Sequence, residues 1–346
     1  MYLTPKSRIA LLMHEGTQST MGKTGLSMLR YSKSPIVAVI DYQSAGQSLA
    51  TLTGIQRDIP IVASVSEALT HQPNVLAIGI APSGGKLPDP WFQELKQAVA
   101  AGLSLVNALH TPLAQHPDLL PNLDPEQWIW DVRQEPPGLT VGTGKAMQLP
   151  CKRILAVGTD MSVGKMSTIL ELNRACQNQG LKSKIIATGQ TNLMLGDDGI
   201  PLDAVRVDYA SGAVEMMMMR YGYDYDYLLI EGQGSLLNPA STATLPLLRG
   251  SQPTHLVLCH RAGQTQISNF PHIKIPPLPQ VIKLYEQMAT AGGAFTQSKV
   301  VSIALNTSHL PESDAIDAIQ AVEKDTELPC TDPIRYGARK ILVAIA

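Results

Sequence analysis

Charge is scarce in this chain. Only 16% of its 346 residues are Asp, Glu, Lys or Arg, and no segment gathers the basic ones. With a formal net charge of −2 and no basic stripe, nucleic acid and anionic membrane are not expected partners. Long apolar runs are missing too: the longest are short strands, far below the ~20 residues a membrane span needs. The N-terminal stretch is apolar only briefly before His14-Glu15, so no secretory leader is expected. Four cysteines, Cys151, Cys176, Cys259 and Cys330, stand far apart with no CxxC pair. That spacing excludes a disulfide frame or a cysteine zinc site and suits buried thiols of a cytoplasmic protein. No GxGxxG occurs, so Asp41 at the end of a strand is weak support for ribose binding.

The chain does carry a strand, a glycine-bounded loop and a helix in direct succession. An apolar run over residues 154–157 leads into Gly158, Thr159, Asp160, Met161, Ser162, Val163, Gly164 and Lys165. A helical pattern follows, with Ile169, Leu170 and Leu172 on one face. Glycines let successive N–H groups curl inward around an anion, and the helix N-terminus adds its dipole. Lys165 adds a full charge. Phosphate binding is therefore expected here. Met166 stands where a phosphate-binding loop normally has the Ser or Thr that holds Mg²⁺. A thioether is a poor ligand for a hard cation, and Ser167 and Thr168 are expected to point elsewhere.

Around this motif the chain alternates short aliphatic runs with helical patterns. Strands are expected over 9–13, 36–40, 61–63, 75–80 and 103–106, with helices over 23–31, 44–53, 66–70 and 90–101. A Pro- and Gly-rich passage over 136–150 reads as a linker, in which 139–141 could add a strand. Beyond it, strands are expected over 183–187, 227–230, 255–259 and 300–305, and helices over 165–178, 210–220, 281–291 and 312–324. This predicts two parallel α/β domains, residues 1–148 and 149–346, with ligands beyond the carboxyl ends of the strands. In the second domain those ends are polar: Thr188, Gln190 and Thr191; Glu231 and Gln233; His260 and Arg261; Asn306. In the first domain, residues 16–24 repeat the spacing of residues 158–166, so a second anion site is conceivable at Gly22-Lys23-Thr24. The 81–86 loop is a further anion candidate.

Several of these motifs resemble known families. GTDMSVGKM with EGQGS is similar to dethiobiotin synthetase, an ATP- and Mg²⁺-dependent enzyme, over the C-terminal half only. GKTGLSMLRY, AVID, GTDMSVGKMST, ATGQT, PLDAV, EGQGSL and TDPIRYG together resemble a two-domain family along the whole chain. That family joins a Rossmann-like N-terminal domain to a P-loop NTPase-like C-terminal domain, and some members are D-glutamate N-acetyltransferases. Met after the loop lysine is usual there. Gly22 and Asn192 depart from it, where relatives often carry Ala and Gly; the first favours reading GKT as a family motif.

The resemblance implies transfer of an acetyl group from acetyl-CoA to the amino group of D-glutamate or a similar amino acid. Residues 158–167 and Asn306 would hold the cofactor. Glu231 and His260 are the bases available to deprotonate the amine. Arg206, Arg261 and Arg335 are candidate forks for the acceptor's carboxylates, beside Thr188, Gln190, Thr191, Asp208 and Gln233. No metal is expected on this reading, and a homo-oligomer is. An ATP/Mg-dependent ligase or kinase remains the alternative, with Glu231 and Asp208 assembling Mg²⁺, as does a nucleotide-binding regulator without turnover.

Overall fold

The computed structural model describes residues 3–81 and 87–346, so the 82–86 part of the candidate anion loop lies outside the described residues. The chain divides into two compact units. Unit 1 comprises residues 1–134 with Gln190–Asp197, and unit 2 comprises Glu135–Gly189 with Asp198–Ala346.

Unit 1 is built on strands β1 (Ile9–Leu12), β2 (Ile36–Ile40), β3 (Ile61–Val62), β4 (Val75–Ile78), β5 (Ser104–Asn107) and β6 (Ile129–Asp131). They pair in the order 3-2-1-4-5-6, all parallel. Their aliphatic side chains are buried almost throughout, as expected of a sheet covered on both faces. The helix over Lys23–Tyr31 forms as its pattern predicts. The one expected over 44–53 shrinks to Leu49–Thr53, because Gly46 takes φ +76° and Ser48 caps the helix from outside, its hydroxyl accepting from Thr51 N–H.

Unit 2 is a second six-stranded parallel sheet. Its strands are β7 (Lys152–Gly158), β8 (Ser183–Ile186), β9 (Tyr227–Ile230), β10 (His255–Arg261), β13 (Lys299–Asn306) and β14 (Cys330–Thr331), in the order 14-13-10-7-9-8. A small antiparallel hairpin, β11 (Gln266–Ile267) and β12 (Phe270–Lys274), leaves the end of β10. Two apolar clusters cover the two faces of the main sheet. Both α/β expectations hold: two parallel sheets, each doubly wound. No strand forms over 139–141; the backbone there runs against the helix Val207–Tyr221, where a Cβ on Gly212 would meet Thr140 O at 1.8 Å. Among the described residues no helix is long and apolar enough to cross a membrane.

Candidate functional site

The central strand β7 carries the site. It lies between β9 and β10, with Leu155 opposite Ile230 and Gly158 opposite Cys259. The turn that follows is tight. Ser162 takes φ +59° and Gly164 φ +109°, which only glycine adopts freely. Gly164 is the N-cap of the helix Lys165–Asn178 and makes no side-chain cap bond. The first N–H groups of such a helix have no intrahelical acceptor and form an anion cradle at the positive end of the dipole.

Lys165 is 6% exposed, and its ammonium donates to the Asp160 carbonyl at 2.8 Å. Its stem passes Gly232, where a Cβ would come within 2.9 Å of Lys165 Cδ and 1.6 Å of Ala156 O. Burial is the largest influence on the ammonium and pulls its pKa down to about 8, against the opposing pull of Cys259, Asp160 and Glu231. A bound anion favours the charged form. Anion affinity is therefore expected to be flat below pH 8 and to fall by up to about tenfold per unit above it. Titration calorimetry at pH 7, 8 and 9 checks this; unchanged affinity at pH 9 removes the lysine from the contact.

Around the loop, the neighbouring side chains are mostly committed. The Asp160 carboxylate accepts four hydrogen bonds, from Met161 N, Asn238 Nδ2, Gln264 Nε2 and Ser268 N. Burial alone would raise its pKa, but donors from Ser268, Asn238 and Met161 outweigh it and hold the carboxyl below its ordinary range. Asp160 thus braces the loop through its side chain and holds Lys165 through its carbonyl. Thr159 Oγ1 shares a 2.9 Å hydrogen bond with His260 Nδ1. Burial pushes the His260 pKa down to about 4, so this imidazole is neutral near pH 7 and a weak base. The Cys259 thiol is pushed up to about 11 by burial and is inert as a nucleophile. Thr168 Oγ1 donates to Gly164 O at 2.9 Å and lies 3.4 Å from the Cys259 sulfur.

Glu231 leaves the end of β9 beside the loop. It is 3% exposed, and its Oε2 accepts from Thr188 N and Gly189 N, both at 3.0 Å. The Thr188 hydroxyl donates to the Glu231 carbonyl at 2.8 Å. The Gln233 amide lies against Gly189, where a Cβ would approach its Nε2 to 2.3 Å. Loop, Lys165, Glu231, Thr188, Gln233 and His260 therefore meet at the carboxyl edge of one sheet, as the strand exits predict.

Other residues named from the sequence are engaged elsewhere. Arg206 grips Glu135 with Nε and Nη2, at 2.7–3.1 Å. Arg335 donates to Glu312 and to the Thr307 and Leu310 carbonyls, tying together the TDPIRYG turn. Gln190 and Thr191 belong to unit 1, on the short helix Gln190–Met194. Arg261 and Asp208 are exposed. The Asn306 amide oxygen accepts from Ser308 N in a local turn.

The sequence reading missed Tyr285. Its hydroxyl donates to Gly158 O at 2.7 Å and accepts from Leu236 N at 3.1 Å, joining the loop to the strand exit that carries Glu231. Tyr285 shares a helix face with Leu278, Val281 and Ala289, so it reads as an ordinary core aromatic.

Comparison with known proteins agrees with this architecture. A family model described as a P-loop domain of unknown function, DUF1611_C, matches residues 140–342, and its Rossmann-like companion DUF1611_N matches 42–135. A D-glutamate N-acetyltransferase of Tritonibacter scottomollicae is 36% identical over 285 residues, 82% of this chain and 84% of that protein. Another from a Pseudoalteromonas species is 33% identical over 281 residues, 81% and 83% respectively. A crystal structure of a DUF1611 family protein from Anabaena variabilis is 61% identical, with a TM-score of 0.96, covering 98% of this chain and 99% of that one.

Proposed function

The chain belongs to the DUF1611 family, and from that premise we propose that it is a P-loop enzyme that moves an acetyl group from acetyl-CoA to the amino group of D-glutamate or a similar amino acid. The acceptor and the acetyl group come from the names of its relatives; the site supplies reasons to take up acetyl-CoA as the donor. The observation that carries the reading is the pairing of an intact anion cradle with Met166. Uncapped N–H groups and Lys165 suit the pyrophosphate of CoA. Met166, half-buried in the first helical turn, supplies no oxygen for Mg²⁺.

Acetyl-CoA brings an acyl carbon already activated as a thioester. The chain must orient it and deprotonate the incoming ammonium. Glu231 is the better placed of the two bases, since it leaves β9 beside the loop and its charge acts on Lys165, while His260 Nδ1 is engaged with Thr159 Oγ1. Two backbone N–H donors fix one carboxylate oxygen of Glu231, which holds its orientation. One ammonium proton passes to Glu231, the nitrogen bonds to the acyl carbon, the carbon–sulfur bond breaks, and the nitrogen's surplus proton goes to the departing thiolate, so that CoA leaves as the thiol.

Turnover is expected to survive excess EDTA. Thiol release from acetyl-CoA with D-glutamate, followed with a thiol reagent, should retain its rate after chelation. Strict dependence on Mg²⁺ and ATP, with ADP formed, would overturn the transferase in favour of a ligase or kinase.

A further inference from the structure

We propose that Tyr285 is a positioning residue of the site: its hydroxyl clamps the anion loop to the segment that follows Glu231, and so fixes how far the base stands from a ligand held by the loop. The proposal rests on the reading of Glu231 as the base, and it adds a residue that acts through others.

Tyr285 is fully buried on the helix Leu278–Thr290. A tyrosine that merely filled the core would satisfy its hydroxyl with any one partner. Here the hydroxyl is used twice, and both partners belong to the site. It donates to Gly158 O, at the head of the anion loop, at 2.7 Å, and it accepts from Leu236 N at 3.1 Å. Ser235 is a further hydrogen-bonding neighbour. Burial holds the phenol above its ordinary pKa, so the hydroxyl stays protonated through neutral pH and remains a donor to Gly158 O.

The segment that Tyr285 grips is stiff. Leu237 N donates to Ser235 Oγ and Ser235 N to Ser241 Oγ, and a Cβ on Gly234 would lie 1.6 Å from Ser241 Oγ. At the start of the segment, Gly232 packs on Ala156 O and on the Lys165 stem. At its end, Asn238 Nδ2 donates to the Asp160 carboxylate at 2.8 Å. Between these ends Tyr285 joins Leu236 to the first loop residue. A stiff turn held in this way moves with the loop, and Glu231 stands at its head. Catalysis by proximity is steep: displacing a reacting group by about 1 Å costs on the order of 10²-fold.

Tyr285→Phe keeps the ring and removes the hydroxyl. In the thiol-release assay with acetyl-CoA and D-glutamate, kcat should fall by about 10- to 100-fold, with the calorimetric affinity for CoA within about threefold of the parent. A double-mutant cycle with Glu231→Gln separates positioning from packing. Once the base is gone, Tyr285→Phe should lower kcat by less than about threefold more. An unchanged kcat in Tyr285→Phe, or the same loss in both backgrounds, would overturn the proposal. Amide hydrogen exchange supplies a readout that needs no turnover. Inorganic pyrophosphate should slow exchange across residues 158–165 and 232–238 in the parent; in Tyr285→Phe the slowing should persist over 158–165 and be largely lost over 232–238. No slowing of 232–238 in the parent, or full slowing in the variant, also sinks the clamp. If Tyr285→Phe does not fold, Asn238→Ala, which cuts the neighbouring tie, goes through both tests. A parent that forms ADP from ATP and releases no thiol from acetyl-CoA would remove the acetyl-transfer reading alone; the cycle is then scored on ADP release, and the exchange result stands by itself.

Discussion

Glu231→Gln is expected to lower turnover by about 10²- to 10⁴-fold while leaving the affinity for acetyl-CoA within a few-fold of the parent. The size is that of losing a general base. Glutamine keeps the shape of the side chain, and its carbonyl oxygen still accepts from Thr188 N and Gly189 N, so the strand exit stays in place. What disappears is the carboxylate's capacity to accept a proton. The alternative base, His260, is already committed to Thr159 and lowered to about 4 by burial, so it offers little rescue. Initial rates give kcat and KM separately. A variant with turnover within about threefold of the parent would leave Glu231 as a turn-holding residue only.

Lys165→Ala is expected to weaken CoA binding by about 1.5–3 kcal/mol, the scale of a lost hydrogen bond to a charged group. That corresponds to roughly 10- to 150-fold in affinity. Folding should change little. The ammonium is buried at a cost, in keeping with its lowered pKa, and among the described residues its one acceptor is the Asp160 carbonyl. Removing it relieves that cost while giving up one hydrogen bond and some stem packing. Calorimetry against CoA, with thermal denaturation alongside, checks both halves. Equal affinity would take Lys165 out of the site. A large loss of Tm would make it a structural residue.

The sequence by itself determined what depends on neighbours in the chain. The run from β7 through Gly164 to the helix Lys165–Asn178 follows from an apolar stretch, two glycines and a 3.6-residue pattern, all local signals. The placing of Glu231 and Thr188 at adjacent strand exits was equally legible, because parallel strands align their carboxyl ends. The tertiary structure decided everything that hinges on distant pairing. Arg206 looked available until Glu135 was found gripping it, 71 residues away. Asp160 looked like a ligand contact until Asn238, Gln264 and Ser268 filled its carboxylate. Tyr285 reaches Gly158 across 127 residues, with nothing in its own helix to distinguish it from the core. Gln190–Asp197 joins unit 1 although the segments on either side belong to unit 2. Hydrophobic period and turn chemistry specify elements and their ends. Which donor meets which acceptor is set by where the packed sheets bring remote segments together, and no local pattern encodes that.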